Sequence, residues 1–389
     1  MKRKLAHLVG TLVCTVCSSA HAQSSVTLYG WLDQGIQYQT NYNGGRRVWF
    51  DSASGIVGSR WGLTGKEDLG AGLSAVFTLE SGINLQNGSS GQGGLLFGRQ
   101  AFVGLSSVDY GAVTFGRQYD MIWYFPEFLT ANAVVGASVS AHPGDFDNAG
   151  NSVRLNNAAR YMSPDFRGFT FGAEYSFGGV PGNLTSTSGY SVGAGYTRGP
   201  FKIAAAFDYF KNPTSTAGSG FFTAYGNGAS PLAFSLNKAY SVAQAYQSAV
   251  VGTNYVIGNL TLAASYSNVQ YANLGAAFSN GTAIFNNFDI GFNYRFTPAL
   301  SAGIAYDYLN ARAVTTSKGS IVGNQHYNQV AFLVDYLLSK RTDLYGGAGW
   351  QRASGTSSLG TPAVANIDNQ GDSSNNHTIL VRIGIRHKF

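Results

Sequence analysis

"LVRIGIRHKF" (380–389) is the stretch whose reading decides the fold. Val381, Ile383, Ile385, His387 and Phe389 share one parity, while Arg382, Gly384, Arg386 and Lys388 share the other. A period of two puts apolar side chains on one face of a strand and basic or small ones on the opposite face. A soluble protein would hide such an edge or let its last residues fray. A closed sheet instead pairs its last strand with its first, here "SVTLYGWLDQGIQY" (25–38).

The same alternation runs through the chain. In "FKIAAAFDYF" (201–210), Phe201, Ile203, Phe207 and Tyr209 oppose Lys202 and Asp208. In "FDIGFNYRF" (288–296), Phe288, Ile290, Phe292, Tyr294 and Phe296 oppose Asp289, Asn293 and Arg295. In "LSAVFTLES" (73–81), Leu73, Ala75, Phe77 and Leu79 oppose Ser74, Thr78 and Glu80. Short connectors fall at 66–72, 107–112, 163–168, 197–200, 257–259, 297–299 and 338–342. Long ones rich in Gly, Asn and Ser fall at 40–58, 82–96, 118–152, 178–188, 212–247, 270–285, 311–327 and 353–376. Seven short and eight long connectors, strictly alternating, join sixteen strands into an up-and-down meander.

A soluble sandwich of that size would need a shared core and longer apolar runs. A barrel in lipid needs the reverse: apolar outside, polar inside, every backbone group paired. The expected fold is therefore all-β, a sixteen-stranded antiparallel transmembrane β-barrel with long external loops and short periplasmic turns. Tyr29, Phe177, Tyr196, Phe201, Tyr255 and Phe296 near strand ends suit aromatic girdles at the two interfaces.

The N-terminus fits an exported protein. Lys2, Arg3 and Lys4 precede an apolar run from Leu8 to Val16, and Ala20-His21-Ala22 forms a small-x-small cleavage pattern before Gln23. Residues 1–22 are thus read as a signal peptide and 23–389 as one barrel domain. Both cysteines, Cys14 and Cys17, lie in the leader, so no disulfide framework supports the rest. Removing the three leader cations, with no acid in 1–22, takes the formal charge from +6 to +3 and removes the main argument for nucleic-acid binding.

Several stretches resemble the general porins of Gram-negative bacteria, especially the beta-proteobacterial type: "SSVTLYGWLDQGIQY" (24–38), "SRWGLTGKEDLGAGLSAVFTLESG" (59–82), "RQAFVGLSS" (99–107), "GAVTFGRQYD" (111–120), "FPEF" (125–128), "NNAARYMSPDFRGFTFG" (156–172) and "IGIRHKF" (383–389). The resemblance implies an outer-membrane homotrimer, embedded in lipid, that passes small hydrophilic solutes and ions without a cofactor. It implies that the third long loop folds into the barrel and that Phe389 serves as a signal read by the barrel assembly machinery. Glu127 of the Pro-Glu-Phe turn would be the acidic pole of a constriction, with Asp120 a companion. Trp123 stands where many relatives carry a second loop acid, which argues against strong cation selectivity.

The resemblance places the basic pole on the wall, at Arg60, Arg99 and Arg160, and Arg154 shares parity with Arg160. Guanidiniums opposite a carboxylate set a transverse field across a narrow passage, and rings of charge select by sign. The arginines outnumber the acids, so a weak anion preference is expected. Asp33, Lys66, Glu80, Lys202, Asp307 and Arg382 oppose apolar neighbours and are expected to line the lumen.

Enzymatic chemistry has no local signature. His142, His326, His377 and His387 form no Ser-His-acid or His-metal pattern, and three of them fall in expected loops. "HPGDFDNAGN" (142–151) lacks the twelfth-position acid of a calcium loop and reads as a solvated turn. No Gly-rich phosphate loop is present. A sugar-specific channel using Trp31 and Trp123, or a loop-displaying adhesin, are the alternative readings.

Overall fold

The structure is a computed structural model describing residues 25–214, 221 and 232–389. The expected signal peptide, 1–22, lies outside the described residues.

Seventeen strand segments hydrogen-bond into one closed antiparallel sheet. Two of them, Gly45–Asp51 and Arg60–Gly70, pair with successive halves of the first strand, Ser25–Tyr42, and together make one wall strand. The barrel therefore has sixteen strands. Numbered along the chain, the wall is β1 (Ser25–Tyr42), β2 (the two segments just named), β3 (Leu73–Gly82), β4 (Gln100–Ser107), β5 (Gly111–Gln118) and β6 (Leu155–Met162). It continues with β7 (Phe169–Ser176), β8 (Gly189–Arg198), β9 (Phe201–Lys211), β10 (Ala245–Ile257), β11 (Leu260–Ala272) and β12 (Ala283–Arg295). The last four are β13 (Leu300–Ala311), β14 (Gln325–Leu337), β15 (Thr342–Gly355) and β16 (His377–Lys388).

The seam closes where the alternation of "LVRIGIRHKF" requires it. β1 pairs with β16 from Trp31↔Lys388 to Gln39↔Leu380, and Phe389 exchanges both backbone hydrogen bonds with Gly30. A Cβ at Gly30 would collide with the Phe389 ring, so glycine is what admits the aromatic there. Ile383 is 66% exposed and its neighbour Arg382 only 1%. Apolar residues outside and polar ones inside hold around the wall: Phe288, Ile290 and Phe292 are exposed, whereas Asn287 and Asp289 are buried. Without water in the bilayer, a closed ladder is what satisfies the backbone.

Three expectations about the wall need correction. Residues 40–58 are not one long loop. Asn43 and Gly44 take positive φ (46° and 82°), the conformation of a two-residue hairpin, and the chain returns as a strand. Only 52–59 leaves the wall, and it turns inward, where the Val57 amide donates to Asp33. Tyr29 is not a girdle residue either, since it points inward and its hydroxyl donates to Glu80. Phe177, Phe201, Tyr255 and Phe296 are exposed as expected. His326 and His377 lie in β14 and β16 rather than in loops.

The apolar core sits inside the barrel. The connector between β5 and β6, here loop 3, enters the lumen and packs Met121, Ile122, Phe125 and Leu129 against Ala204, Ala206 and Val250. Further along, Ala131, Val135 and Val139 pack on Ala305, Ala331 and Leu333. The wall is cut back to receive them. A Cβ would stand 2.6 Å from Phe125 at Gly193, 3.0 Å from Leu129 at Gly252, 2.9 Å from Ala131 at Gly291 and 2.9 Å from the Val139 carbonyl at Gly349. Burying one side chain such as Phe125 or Leu129 contributes about 1.5–3 kcal/mol.

Candidate functional site

Loop 3 is built from short capped turns. Asp120 caps helix α1 (Met121–Tyr124) by accepting from the Trp123 amide at 3.0 Å, and Thr130 caps α2 (Ala131–Val135) by accepting from the Ala133 amide at 3.3 Å. Between them, Pro126 starts a 3₁₀ turn over Glu127–Leu129. The apolar sides of these turns face the glycine-lined wall, which leaves Trp123, Glu127 and Phe128 on the side of the open passage.

That side bounds a cavity of about 770 Å³ whose lining includes Arg60, Arg99, Arg154, Trp31, Trp123, Glu127 and Phe128. Arg99 is held by a 2.8 Å ion pair to Glu80, which also accepts from the Tyr29 and Tyr119 hydroxyls at 2.9 Å each. Arg60 donates through Nε to the Gly58 carbonyl at 3.0 Å and forms no ion pair among the described residues. Arg154 donates to the Ser152 carbonyl at 3.0 Å. The guanidiniums of Arg154 and Arg99 lie 5.2 and 5.8 Å from the Tyr119 ring centre, and that of Arg60 lies 5.5 Å from the Trp31 ring centre.

The remaining expected site residues lie elsewhere. Asp120 does not line the cavity: it is fully buried, spent on its cap and on the Asn148 amide. Arg160 stands behind loop 3, donating to the Tyr124 hydroxyl and lying 4.3 Å from that ring's centre. Arg154 and Arg160 are both buried on the inner side, yet only Arg154 lines the cavity, because loop 3 lays Tyr124 over Arg160. Asp33 and Arg382 face inward but bind each other at 3.1 Å, with Arg382 also on Asp51 at 3.0 Å and on the Tyr345 hydroxyl at 2.6 Å. Glu80 is buried against Arg99, and Asp307 is buried beneath loop 3, bonded to Asn287. Lys66 and Lys202 are exposed at the short-turn ends of their strands.

The sequence reading missed His142. Far from a solvated turn, His142–Asn148 is buried against the wall. His142 Nδ1 is 2.6 Å from Asp147 and Nε2 is 2.9 Å from Asp289 of β12, which also accepts from the Ala131 amide at 3.0 Å. With carboxylates at both ring nitrogens, the imidazolium is the form that donates to each. Burial alone would lower the His142 pKa, but Asp147, Asp289 and Asp307 push it well above the usual histidine range. A signal for this docking existed in the inward glycines and alanines of the receiving strands.

Comparison with known proteins settles the lineage. A family profile described as Gram-negative porin matches residues 10–356. The chain belongs to the Gram-negative porin family. This porin is 37% identical to an outer membrane porin protein of Bordetella pertussis over 54% of the chain and 59% of that relative. It is 28% identical to outer membrane porin protein 32 of Delftia acidovorans, over 98% of the chain and 99% of the relative. Among solved structures, an anion-selective porin from Comamonas acidovorans shares the fold at a TM-score of 0.72 and 22% identity, covering 94% of the chain and all of that structure. The porin is thus an outer-membrane channel for passive diffusion rather than an enzyme.

Proposed function

We propose that this porin is a weakly anion-selective homotrimer whose constriction lies between Glu127 on loop 3 and the arginines Arg60, Arg99 and Arg154 on the wall. The observation that carries this reading is that all four line one cavity. The acids there are less able to offset the cations than a count suggests. Asp51 is engaged by Arg382. Burial and the nearby Asp145 and Asp120 carboxylates push Glu127 well up, and burial with Asp145 does the same to Asp368 in the last loop. Arg99 is itself offset by Glu80, so the positive excess rests first on Arg60, which has no ion pair among the described residues, and a fixed guanidinium in a narrow passage favours anions.

The test is the mature chain refolded into a planar bilayer under a potassium chloride gradient. Conductance steps in threes with a zero-current potential favouring chloride are expected. A potassium-favouring potential would overturn the selectivity, and single-sized independent steps would overturn the trimer. In the same reading Phe389, seated against Gly30, is the assembly signal, and export removes residues 1–22. Sequencing the N-terminus of the membrane-inserted protein should begin at Gln23.

A further inference from the structure

The cavity holds more aromatic surface than a sieve for hydrated ions requires. Phe128 is 53% exposed, yet it faces the aqueous passage rather than lipid. It meets Trp123 edge-to-face at 5.3 Å and 72°, and Trp123 stacks on Tyr119 at 4.3 Å and 23°. Tyr119 in turn lies within 6 Å of the Arg154 and Arg99 guanidiniums. One continuous frame therefore runs from an open aromatic edge on the loop to the cationic wall. Apolar ring surface left in water is unfavourable, and a flat solute that covers it recovers that loss.

We infer that the cavity binds small aromatic carboxylates, the ring against Trp123 and Phe128 and the carboxylate on the arginine wall. The inference rests on the anion-selective reading of the same site and adds the solute class. Guanidiniums supply paired donors for a planar carboxylate, so an anion whose charge sits in the plane of its ring engages both halves together. An aromatic cation meets like charge at the wall. A neutral sugar can stack on the rings but leaves the guanidiniums without a counter-charge.

The test compares benzoate with cyclohexanecarboxylate, which has the same charge and a similar size but no flat π-face, as blockers of potassium chloride current through the full-length mature porin in a bilayer. Half-block by benzoate is expected at about fivefold lower concentration, the size of one aromatic contact. Phe128→Leu should shrink that ratio towards one, and Trp123→Leu should do the same. Both variants are first checked for folding by their shifted electrophoretic mobility before and after boiling. Equal block by the two acids in the wild type overturns the inference, as does stronger block by glucose. The zero-current potential, read in the same membrane, separates the failures. If it favours chloride while the acids block equally, only the aromatic site falls. If it favours potassium, the anion-selective reading falls with it.

Discussion

Loop 3 meets the barrel at two places that are built in opposite ways. At His142–Asp147 every ring nitrogen and the facing Asp289 are bound at 2.6–2.9 Å and shut away from solvent. At Trp123, Glu127 and Phe128 the side chains border an open cavity, and Arg60 across it forms no ion pair among the described residues. Both places put charge inside the lumen. The difference shows that a charge in a pore selects ions only if its partner has not already been supplied by the fold. Where the partner is built in, the charge holds the loop instead.

Breaking the closed end has the largest expected effect. His142→Gln leaves Asp147 and Asp289 buried without their cation and should cost about 3 kcal/mol or more, read from the urea midpoint and from noisier open-channel current. An unchanged midpoint would show that packing alone docks the loop. The pH dependence has a definite sign. Because the His142 pKa is raised, its contribution is fully present below the ordinary histidine value and is lost as pH rises through the raised one. Asp147, held low by His142 despite its burial, contributes above the ordinary carboxylate range and loses that contribution in acid. The wild type should therefore lose stability above neutrality, and His142→Gln should not.

A sharper contrast comes from two arginines on the same inner wall. Arg60→Gln should lower the chloride preference about twofold and move the urea midpoint by less than about 1 kcal/mol. Arg382→Gln should do the opposite, destabilising the seam by about 3 kcal/mol while leaving the zero-current potential nearly unchanged. Equal shifts in selectivity from both would erase the distinction between bound and open charges.

The smallest expected effect is on Glu127. Its raised pKa means that it loses its charge at a higher pH than an ordinary carboxylate. Lowering the pH from neutral should therefore increase the chloride preference, by less than Arg60→Gln decreases it. Glu127→Gln should flatten that rise. A chloride preference that falls on mild acidification would mean that Glu127 does not act in the passage.

Much of the wall was legible because a strand's side chains alternate whatever they pack against. "FDIGFNYRF" reads as lipid-facing and lumen-facing sets from its letters, and the exposures agree. Glu80 and Arg382 could be placed on the inner face in the same way. That they are bound to Arg99 and to Asp33 could not be read, because ion pairs form between strands distant in sequence. Asn43-Gly44 was a readable hairpin signal hidden in a polar stretch that resembled a loop. Arg154 and Arg160 share the inner side, but that only one of them reaches the cavity could not be read, because the path of loop 3 lays Tyr124 over Arg160.

By itself, the sequence determined the barrel. Period two with unlike faces, sixteen times over, admits one economical solution in lipid: a closed sheet whose last residue, Phe389, pairs beside Gly30. Tertiary structure alone decided which charges remain open. Loop 3 has no alternation to constrain it, and its path depends on where inward glycines at 193, 252, 291 and 349 leave room and on where Asp289 can receive His142. That path buries Asp120 and His142 and sets Glu127, Trp123 and Phe128 beside the arginine wall. The reason is physical. A strand's facing is a local consequence of backbone geometry, whereas the partners of a buried charge are fixed only when distant parts of the chain meet.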